Sequence, residues 1–475
     1  QRLFSADPAS VGAAYPFSFG YGGKISSEFL GNWEKNVEDK TLDSTKQQRI
    51  LTLTDPQTGL EVKAVVTIYT DTAGGDWTIY FTNTSDQDTP VIEAVKPLDV
   101  SMTAGPDVIP VLHRINGSHD GVDDWMNYDV ILSPGNASDF STIEGRTSMK
   151  DGPFFNLDCG SSGVITAIGW SGQWMAKVEN SKEGSIRMQA GMQYIHTILH
   201  PGETIRTPRI LQLYWFGQDE LRSYNLFRQT MLAHIVPKIN GQTAVPPIAH
   251  LSTSFYELNY STEEYVLSHL ESIQGLGFEY FWLDAYYTKG GFPAGMGNYG
   301  LPIEEIIPDP ERFPRGIKSI ADAVTNQGYQ FLLWFEPERV AGGTYIAQNH
   351  PEFVISPGND GSGLVDLGNP QAREYMTAVL LAAIKEYRLG CMRFDYNLNP
   401  LPYWQFENQK DPNRVGICEI RYMEGLYRMW DDLRQAYPHL LIDDTASGGN
   451  RIDLETMSRA LPLWRTDWVI FPLLG

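Results

Sequence analysis

The chain has 475 residues, too many for one ordinary domain, so we expect two or three. Its formal net charge of -22, from 58 acidic and 36 basic side chains, argues against nucleic acid and against an anionic membrane surface as partners. Its three cysteines, Cys159, Cys391 and Cys418, are too sparse for a disulfide framework or a Cys-x-x-Cys metal site.

The first half of the chain has the alternating pattern of β-strands. Runs such as 60–69, 77–82 and 163–170 are separated by turns rich in Gly, Asp, Asn, Ser and Pro. This pattern predicts an antiparallel β-sandwich domain over residues 1–218. A helical connector over 219–249 is expected to join it to a second domain over 250–475.

From about residue 250, amphipathic helices alternate with short apolar strands, which is typical of a parallel β/α repeat. The predicted strands end near Phe255, Asp284, Phe335, Asp366, Asp395, Asp443 and Thr466. Seven strands are one short of a closed eight-stranded barrel. We therefore predict a (β/α)8 TIM-type barrel that is cut after its seventh strand, in a natural protein that continues past Gly475.

Three aspartates at the ends of apolar runs, Asp284, Asp395 and Asp467, are the main functional signal. The C-terminal ends of barrel strands meet at one mouth, where the active site is built. Asp395 and Asp467, from separate strands, fit the carboxylate pair of a retaining glycosidase. Arg393 is expected to lie on the same strand face as Asp395 and to keep it ionised. The structural alternative for each aspartate is a capping role.

Two further strand ends carry polar groups. Trp334 is followed by Glu336 and Glu338, on either side of a proline. Gly448 and Gly449 follow another strand, and glycines let backbone amides approach a ligand closely. A phosphate site is a weak interpretation because the sequence contains neither a Gly-x-Gly-x-x-Gly nor a Walker pattern.

These motifs carry a resemblance. The segments 334–338, 364–370, 393–397 and 446–449 resemble glycoside hydrolase family 36, the α-galactosidase and α-N-acetylgalactosaminidase clan. Further similarity at 16–23, 201–204, 451–457 and 464–467 extends it over nearly the whole chain. The resemblance implies a sandwich of the supersandwich type before the barrel, and a retaining exo-α-glycosidase that needs no metal or other cofactor.

The resemblance also implies roles for single residues. Asp395 would be the nucleophile and Asp467 the acid/base, and Asp284 would bind the 4- and 6-hydroxyls of a galacto-configured sugar. The implied substrate-binding residues are Asp284, Trp334, Arg393, Asn397, Asp444, Thr445, Ser447, Gly448 and Arg465.

Several positions depart from the family's usual residues. Asp284 is followed by Ala-Tyr-Tyr instead of Asp-Gly-Trp, and Arg393 replaces a usual Lys. Asp444, Thr445 and Ser447 replace residues of the loop that, by resemblance, contacts the sugar's C2 substituent. These changes favour 2-amino or 2-acetamido galactosides. The alternative is that Asp444 faces away, since adjacent strand residues point to opposite sides.

Four functions therefore stay open at this stage. The first is hydrolysis of 2-amino or 2-acetamido galactosides, and the second is ordinary α-galactosidase activity. The third is galactosyl transfer to another sugar, and the fourth is glycan binding without catalysis. The expected partner is an oligosaccharide or glycan, with no nucleic acid and no membrane, and a homo-oligomer is compatible with the sequence. A secreted or cell-envelope location is expected.

Overall fold

The computed structural model describes residues 4–5, 14–105, 107–217, 219–252 and 257–468, which divide into two compact units. The first unit takes the described residues up to 235 together with 404–420 and 452–455, and the second takes the described remainder. The segments 404–420 and 452–455 thus belong to the first unit, although they follow the predicted boundaries at 218 and 249 in the sequence. Those two boundaries stay a prediction.

The described residues contain nine α-helices. They are α1 Ser26–Phe29, α2 Glu220–Thr230, α3 Glu263–Ser272, α4 Ile303–Ile306, α5 Gly316–Asn326, α6 Tyr345–Asn349, α7 Pro370–Tyr387, α8 Leu401–Asn408 and α9 Ile417–Ala436.

The strands of the first part of the chain are β1 Ser18–Tyr21, β2 Lys24–Ile25, β3 Glu34–Thr41, β4 Lys46–Thr54, β5 Leu60–Tyr69, β6 Gly74–Asn83, β7 Ile92–Lys96, β8 Leu98–Thr103, β9 Val111–Asn116, β10 Asn127–Ile131, β11 Ala137–Ser141, β12 Asp151–Asp158, β13 Ser162–Gly169, β14 Trp174–Asn180, β15 Ser185–Met192, β16 His196–Thr197, β17 Thr204–Arg206 and β18 Arg209–Phe216. The later strands are β19 Lys238–Ile239, β20 Gln242–Thr243, β21 Ala249–Leu251, β22 Tyr280–Leu283, β23 Gln330–Phe335, β24 Arg339–Val340, β25 Val354–Ile355, β26 Gly363–Val365, β27 Leu389–Phe394, β28 Arg414–Val415 and β29 Leu441–Asp444.

The first unit is built from antiparallel sheets. One sheet has ten strands in the order β10-β9-β12-β13-β18-β6-β5-β4-β3, with β17 paired to β6, and a second has the order β11-β14-β15-β8. A third sheet, β2-β1-β7-β16-β28, includes a strand from the segment 404–420. Within β5, Leu60, Val62, Ala64 and Val66 are buried while the residues between them are half-exposed, the alternation that a sheet with one face on a core requires.

The second unit is built on five parallel strands in the order β21-β22-β23-β27-β29. Helices α3, α5, α7 and α9 fall between successive strands of this sheet, as in a TIM-type barrel. Trp282, Leu332 and Cys391 from three of the strands form a buried cluster at its inner face. The predicted combination of an antiparallel sandwich and a TIM-type barrel is confirmed.

Two of the seven predicted barrel strands lie outside the parallel sheet. The strand before Asp366 is β26, which pairs with β24 and β25 in a separate antiparallel sheet. The backbone before Thr466 belongs to no strand, because Pro462 lacks an N–H and the Leu463 N–H donates to the Asp443 side chain. The predicted end at Phe255 lies outside the described residues.

The predicted helical connector is only partly helical. α2 is followed by one π-helical turn, Met231–Ile235, and then by the hairpin of β19 and β20. Asn240 and Gly241 form its two-residue turn with φ of 51° and 78°. Asn-Gly is a strong signal for such a turn because both positions need positive φ, so this hairpin was readable in the sequence.

Candidate active site

The register of the parallel sheet places polar side chains at the same height on neighbouring strands. Trp334 pairs with Arg393, and Arg393 pairs with Asp443. Asp284 belongs to the same level, because it follows Leu283, which pairs with the residue before Trp334. The period of two along each strand points these four side chains to one face of the sheet.

Arg393 is the centre of this level. Its Nη1 donates to Asp443 Oδ2 at 2.5 Å, its Nε lies 3.6 Å from Asp284 Oδ2, and its guanidinium stacks on the Trp282 ring at 4.5 Å. Burial raises the pKa of both Asp284 and Asp443, and Arg393 opposes that rise. Burial works against the charge of Arg393, but Asp443, Asp284 and Asp395 together raise its pKa. Arg393 therefore stays a cation among carboxylates.

Asp395 lies two residues after Arg393, one period of the strand repeat further along the chain, and its carboxylate accepts four hydrogen bonds. The Trp334 indole and the Asn397 amide donate to Oδ2 at 3.1 and 2.8 Å. The backbone N–H groups of Tyr396 and Ser447 donate to Oδ1 at 2.8 and 3.0 Å. An ionised carboxylate has about four acceptor positions, so this arrangement fits a fixed anion.

Asp467 faces the same cavity from an irregular segment. Its Oδ1 accepts a hydrogen bond from the Trp464 indole at 2.9 Å. Gly448 holds this segment close: a Cβ at Gly448 would lie 2.6 Å from the Asp467 nitrogen, and its φ is 75°. Only glycine suits both the conformation and the close approach.

One cavity collects most of the predicted site residues. Its walls are Leu251, Trp282, Asp284, Ala285, Tyr286, Phe292, Trp334, Arg393, Asp395, Asn397, Trp464 and Asp467. It holds three carboxylates, one guanidinium and several aromatic rings, a lining suited to a hydroxyl-rich ligand with apolar faces. Burial raises the pKa of Tyr286 to about 12, and the nearby carboxylates of Asp284, Asp395 and Asp467 add to that rise.

The structure does not bring Asp444 to the cavity. Phe394, its partner on β27, stacks on Trp430 of α9, so this level of the sheet faces the helices. Asp444 is 1% exposed and accepts a hydrogen bond from Arg451 Nε at 3.1 Å. Asp443 takes the inward position, because neighbouring residues of a strand point to opposite sides.

The side chains of the other two altered loop residues, Thr445 and Ser447, are hydrogen-bonded to neighbouring protein groups. The Thr445 hydroxyl donates to the Gly448 carbonyl at 2.8 Å, and the Ser447 hydroxyl donates to Asn397 Oδ1 at 2.7 Å. Ser447 has a φ of 43°, a strained value for a residue with a side chain, and its N–H contacts Asp395. Arg465 is exposed and is not among the described residues that line the cavity.

Sequence reasoning missed Asp443, which pairs with Arg393, and these residues of the cavity wall: Leu251, Trp282, Ala285, Tyr286 and Phe292. Trp282 could have been predicted, because it lies two residues before Asp284 on the same strand face; its indole donates to Asp284 at 2.8 Å. Phe292 could not have been predicted, because it belongs to a loop that Asn259 holds through two hydrogen bonds to the Phe292 backbone, each 2.9 Å.

In the ranges that the structure describes, no group of three or more His, Cys, Asp or Glu side chains is placed to hold a metal ion. Within the same ranges, no helix has both the length and the apolar character needed to cross a bilayer.

Known proteins resemble the chain over most of its length. The melibiase family model matches residues 227–469, just over half of the chain. Alpha-galactosidase C of Emericella nidulans is 24% identical over 350 residues, covering 69% of this chain and 45% of the relative. An alpha-galactosidase of Escherichia coli is 24% identical over 310 residues, covering 63% and 41%. The chain spans less than half the length of these curated relatives.

Solved structures of alpha-galactosidases share the fold. The enzyme from Lactobacillus brevis matches with a TM-score of 0.73 at 21% identity, covering 95% of this chain and 62% of that one. AgaA from Geobacillus stearothermophilus, a family 36 enzyme, matches with a TM-score of 0.74 at 19% identity, covering 95% and 64%. Variants of AgaA have been solved with stachyose and with raffinose.

Proposed function

The chain belongs to the melibiase family, and from this premise we propose that it is the catalytic part of a retaining α-galactosidase. The observation that carries the proposal is the geometry around Asp395. A carboxylate fixed by four donors lines one cavity with a second carboxylate, Asp467. A retaining glycosidase requires such a pair, one carboxylate as nucleophile and the other as acid and then base.

In the proposed reaction, an Asp395 oxygen forms a bond to the anomeric carbon while the bond from that carbon to the leaving oxygen breaks. Asp467 donates its proton to the leaving oxygen. In the second step Asp467 takes a proton from water, the water oxygen bonds to the anomeric carbon, and the bond to Asp395 breaks. All four acceptor positions of Asp395 are filled, so one donor has to withdraw; the 3.1 Å bond from Trp334 is the longest of the four.

The substrates we propose are terminal α-linked galactosides with an ordinary 2-hydroxyl group. The curated relatives bear the name alpha-galactosidase, and AgaA variants were solved with stachyose and raffinose. Preference for 2-amino or 2-acetamido galactosides has weaker support, because Asp444 pairs with Arg451 and the Thr445 hydroxyl donates to a backbone carbonyl. Ser447, the third altered loop residue, contacts Asp395 and Asn397 of the cavity wall.

The test compares hydrolysis of nitrophenyl α-galactoside, α-N-acetylgalactosaminide and α-galactosaminide by the same preparation. We expect kcat/KM on the galactoside to exceed the other two by at least about tenfold, a difference of roughly 1.4 kcal/mol in transition-state stabilisation. Equal or faster hydrolysis of the 2-amino or 2-acetamido galactoside would reverse the proposed specificity. Sugar binding without turnover would instead indicate a glycan-binding protein.

A further inference from the structure

Glu336, directly after β23, is a buried carboxyl group beside the proposed nucleophile. Its side chain is 0% exposed. Oε1 accepts a hydrogen bond from the Asn397 N–H at 2.5 Å. Oε2 has no hydrogen-bond partner among the residues that the structure describes, and the nearest charge on Arg339 lies 3.8 Å away.

These contacts link Glu336 to Asp395 through one residue. The backbone of Asn397 is held on both sides, because its N–H donates to Glu336 and its carbonyl accepts from Arg339 Nη1 at 3.3 Å. The side chain of the same Asn397 donates to Asp395 Oδ2 at 2.8 Å. A shift of the Asn397 backbone therefore moves one of the four donors that fix Asp395.

The electrostatic surroundings favour a neutral Glu336. Burial raises the pKa of Glu336 to about 8, the charge of Asp395 adds to the rise, and Arg339 and the Asn397 hydrogen bonds oppose it. Tyr299, whose hydroxyl accepts from the Glu336 N–H, is a further titratable group that faces it. A buried oxygen without a partner is far less costly on a neutral carboxyl than on a carboxylate.

We propose that Glu336 is an uncharged positioning residue that holds Asn397, and through it Asp395, in the geometry needed for attack. The inference rests on the proposed role of Asp395 as nucleophile. A neutral carboxyl supplies the carbonyl oxygen that the Asn397 N–H needs, without placing a second anion behind the nucleophile. Ionisation of Glu336 would repel Asp395 and disturb the shared Asn397.

The kinetic test uses Glu336→Gln, which keeps the carbonyl oxygen and cannot ionise, and Glu336→Leu, which removes the acceptor. The substrate is an activated aryl α-galactoside, because its aryl leaving group departs with little protonation. The loss of activity at alkaline pH then does not report the protonation of Asp467. Near pH 6 we expect Glu336→Gln to keep kcat within about threefold of wild type and Glu336→Leu to lose at least about tenfold, with a smaller change in KM. As the pH rises past about 8, the wild type should lose activity and Glu336→Gln should not. Glu419→Gln, at a buried carboxyl of the first unit, is the matched control and should follow the wild-type profile.

A second measurement needs no turnover. A carboxyl whose pKa is raised by folding contributes stability that is complete below its unfolded value of 4.5 and is lost as the pH rises through its folded value. The Tm of Glu336→Gln minus that of wild type should therefore increase as the pH rises from 4.5 to about 8. The inference would be overturned if the Tm difference between Glu336→Gln and an active wild type did not change with pH, or if Glu336→Gln lost as much kcat as Glu336→Leu. It would also be overturned if Glu336→Gln lost activity at alkaline pH as the wild type does. Absence of galactoside turnover by the wild type would overturn the proposed function, and the positioning role with it.

Discussion

Asp467 has two features that suit the acid/base role: it lines the cavity, and the hydrogen bond that its carboxyl accepts from the Trp464 indole fixes its orientation there. We expect Asp467→Asn to lower kcat/KM on a galactoside with a poor leaving group by about 10²–10⁴-fold, because proton donation to the leaving oxygen is lost. On an activated aryl galactoside the kcat/KM of the variant should fall far less. Equal losses on both substrates would mean that Asp467 is structural.

Asp444 belongs to a buried ion-pair group with Arg451 and Glu338, in which Arg451 Nη1 contacts Glu338 at 2.7 Å. Asp444→Asn should therefore lower the Tm, through loss of about 2 kcal/mol from a hydrogen bond between charged groups. Its kcat/KM on a galactoside and on a galactosaminide should change by the same factor. A selective loss on the galactosaminide would show that Asp444 senses the 2-ammonium group.

At this scale the sequence predicted the inward-facing residues better than the loop residues. Asp284, Trp334 and Arg393 follow from strand ends and a period of two, and the cavity lining contains all three. Asp444 could not be assigned a side in the same way. The two-residue period separates it from Asp443, but which of the two faces inward depends on the register of β27 and β29, a tertiary property.

At the scale of elements, the loop after β29 and the segment that carries Asp467 depend on Gly448. Gly448→Ala should displace the Asp467 backbone, because the new Cβ would lie 2.6 Å from its nitrogen. We expect kcat/KM on a poor-leaving-group galactoside to fall by about 10²-fold, the usual consequence of a misplacement near 1 Å. The matched control is Gly343→Ala, since Gly343 has a φ of 78° and nothing within 4 Å of its Cβ position. Similar losses in both variants would attribute the effect to backbone strain instead of the contact.

Strand existence was predictable where a run is apolar and buried on both faces, as in β22, β23 and β27. The run before Asp366 has the same local texture, yet it forms a strand of a different sheet. Its antiparallel partners, β24 and β25, are only two residues long, so no periodicity marks them in advance.

At the scale of the whole molecule, the segment 404–420 places Glu419 inside the first unit. Glu419 is 2% exposed and accepts hydrogen bonds from the Trp170 indole and the Gln173 N–H, both at 2.8 Å. Burial raises its pKa from 4.5 to about 7. Its contribution to stability is therefore complete below pH 4.5 and is lost as the pH rises to about 7.

Glu419→Gln should accordingly gain in Tm relative to wild type between pH 4.5 and about 7 and show a constant difference above that. The full gain corresponds to roughly 3 kcal/mol at about 1.4 kcal/mol per pKa unit. Thermal unfolding at a series of pH values measures it. A difference that does not change with pH would show that Glu419 is ionised in the folded protein. No local pattern predicted this contact, because 404–420 lies between two stretches of the barrel sequence.

The account as a whole depends on Asp395 forming a covalent bond to the sugar, and trapping that intermediate tests it most directly. A fluorinated galactosyl fluoride that forms the intermediate quickly and releases it slowly would be incubated with the protein, followed by proteolysis and mass spectrometry of the labelled peptide. We predict one galactosyl label per chain, on Asp395. A label on a different carboxylate, or turnover that gives a product of inverted anomeric configuration, would contradict the account.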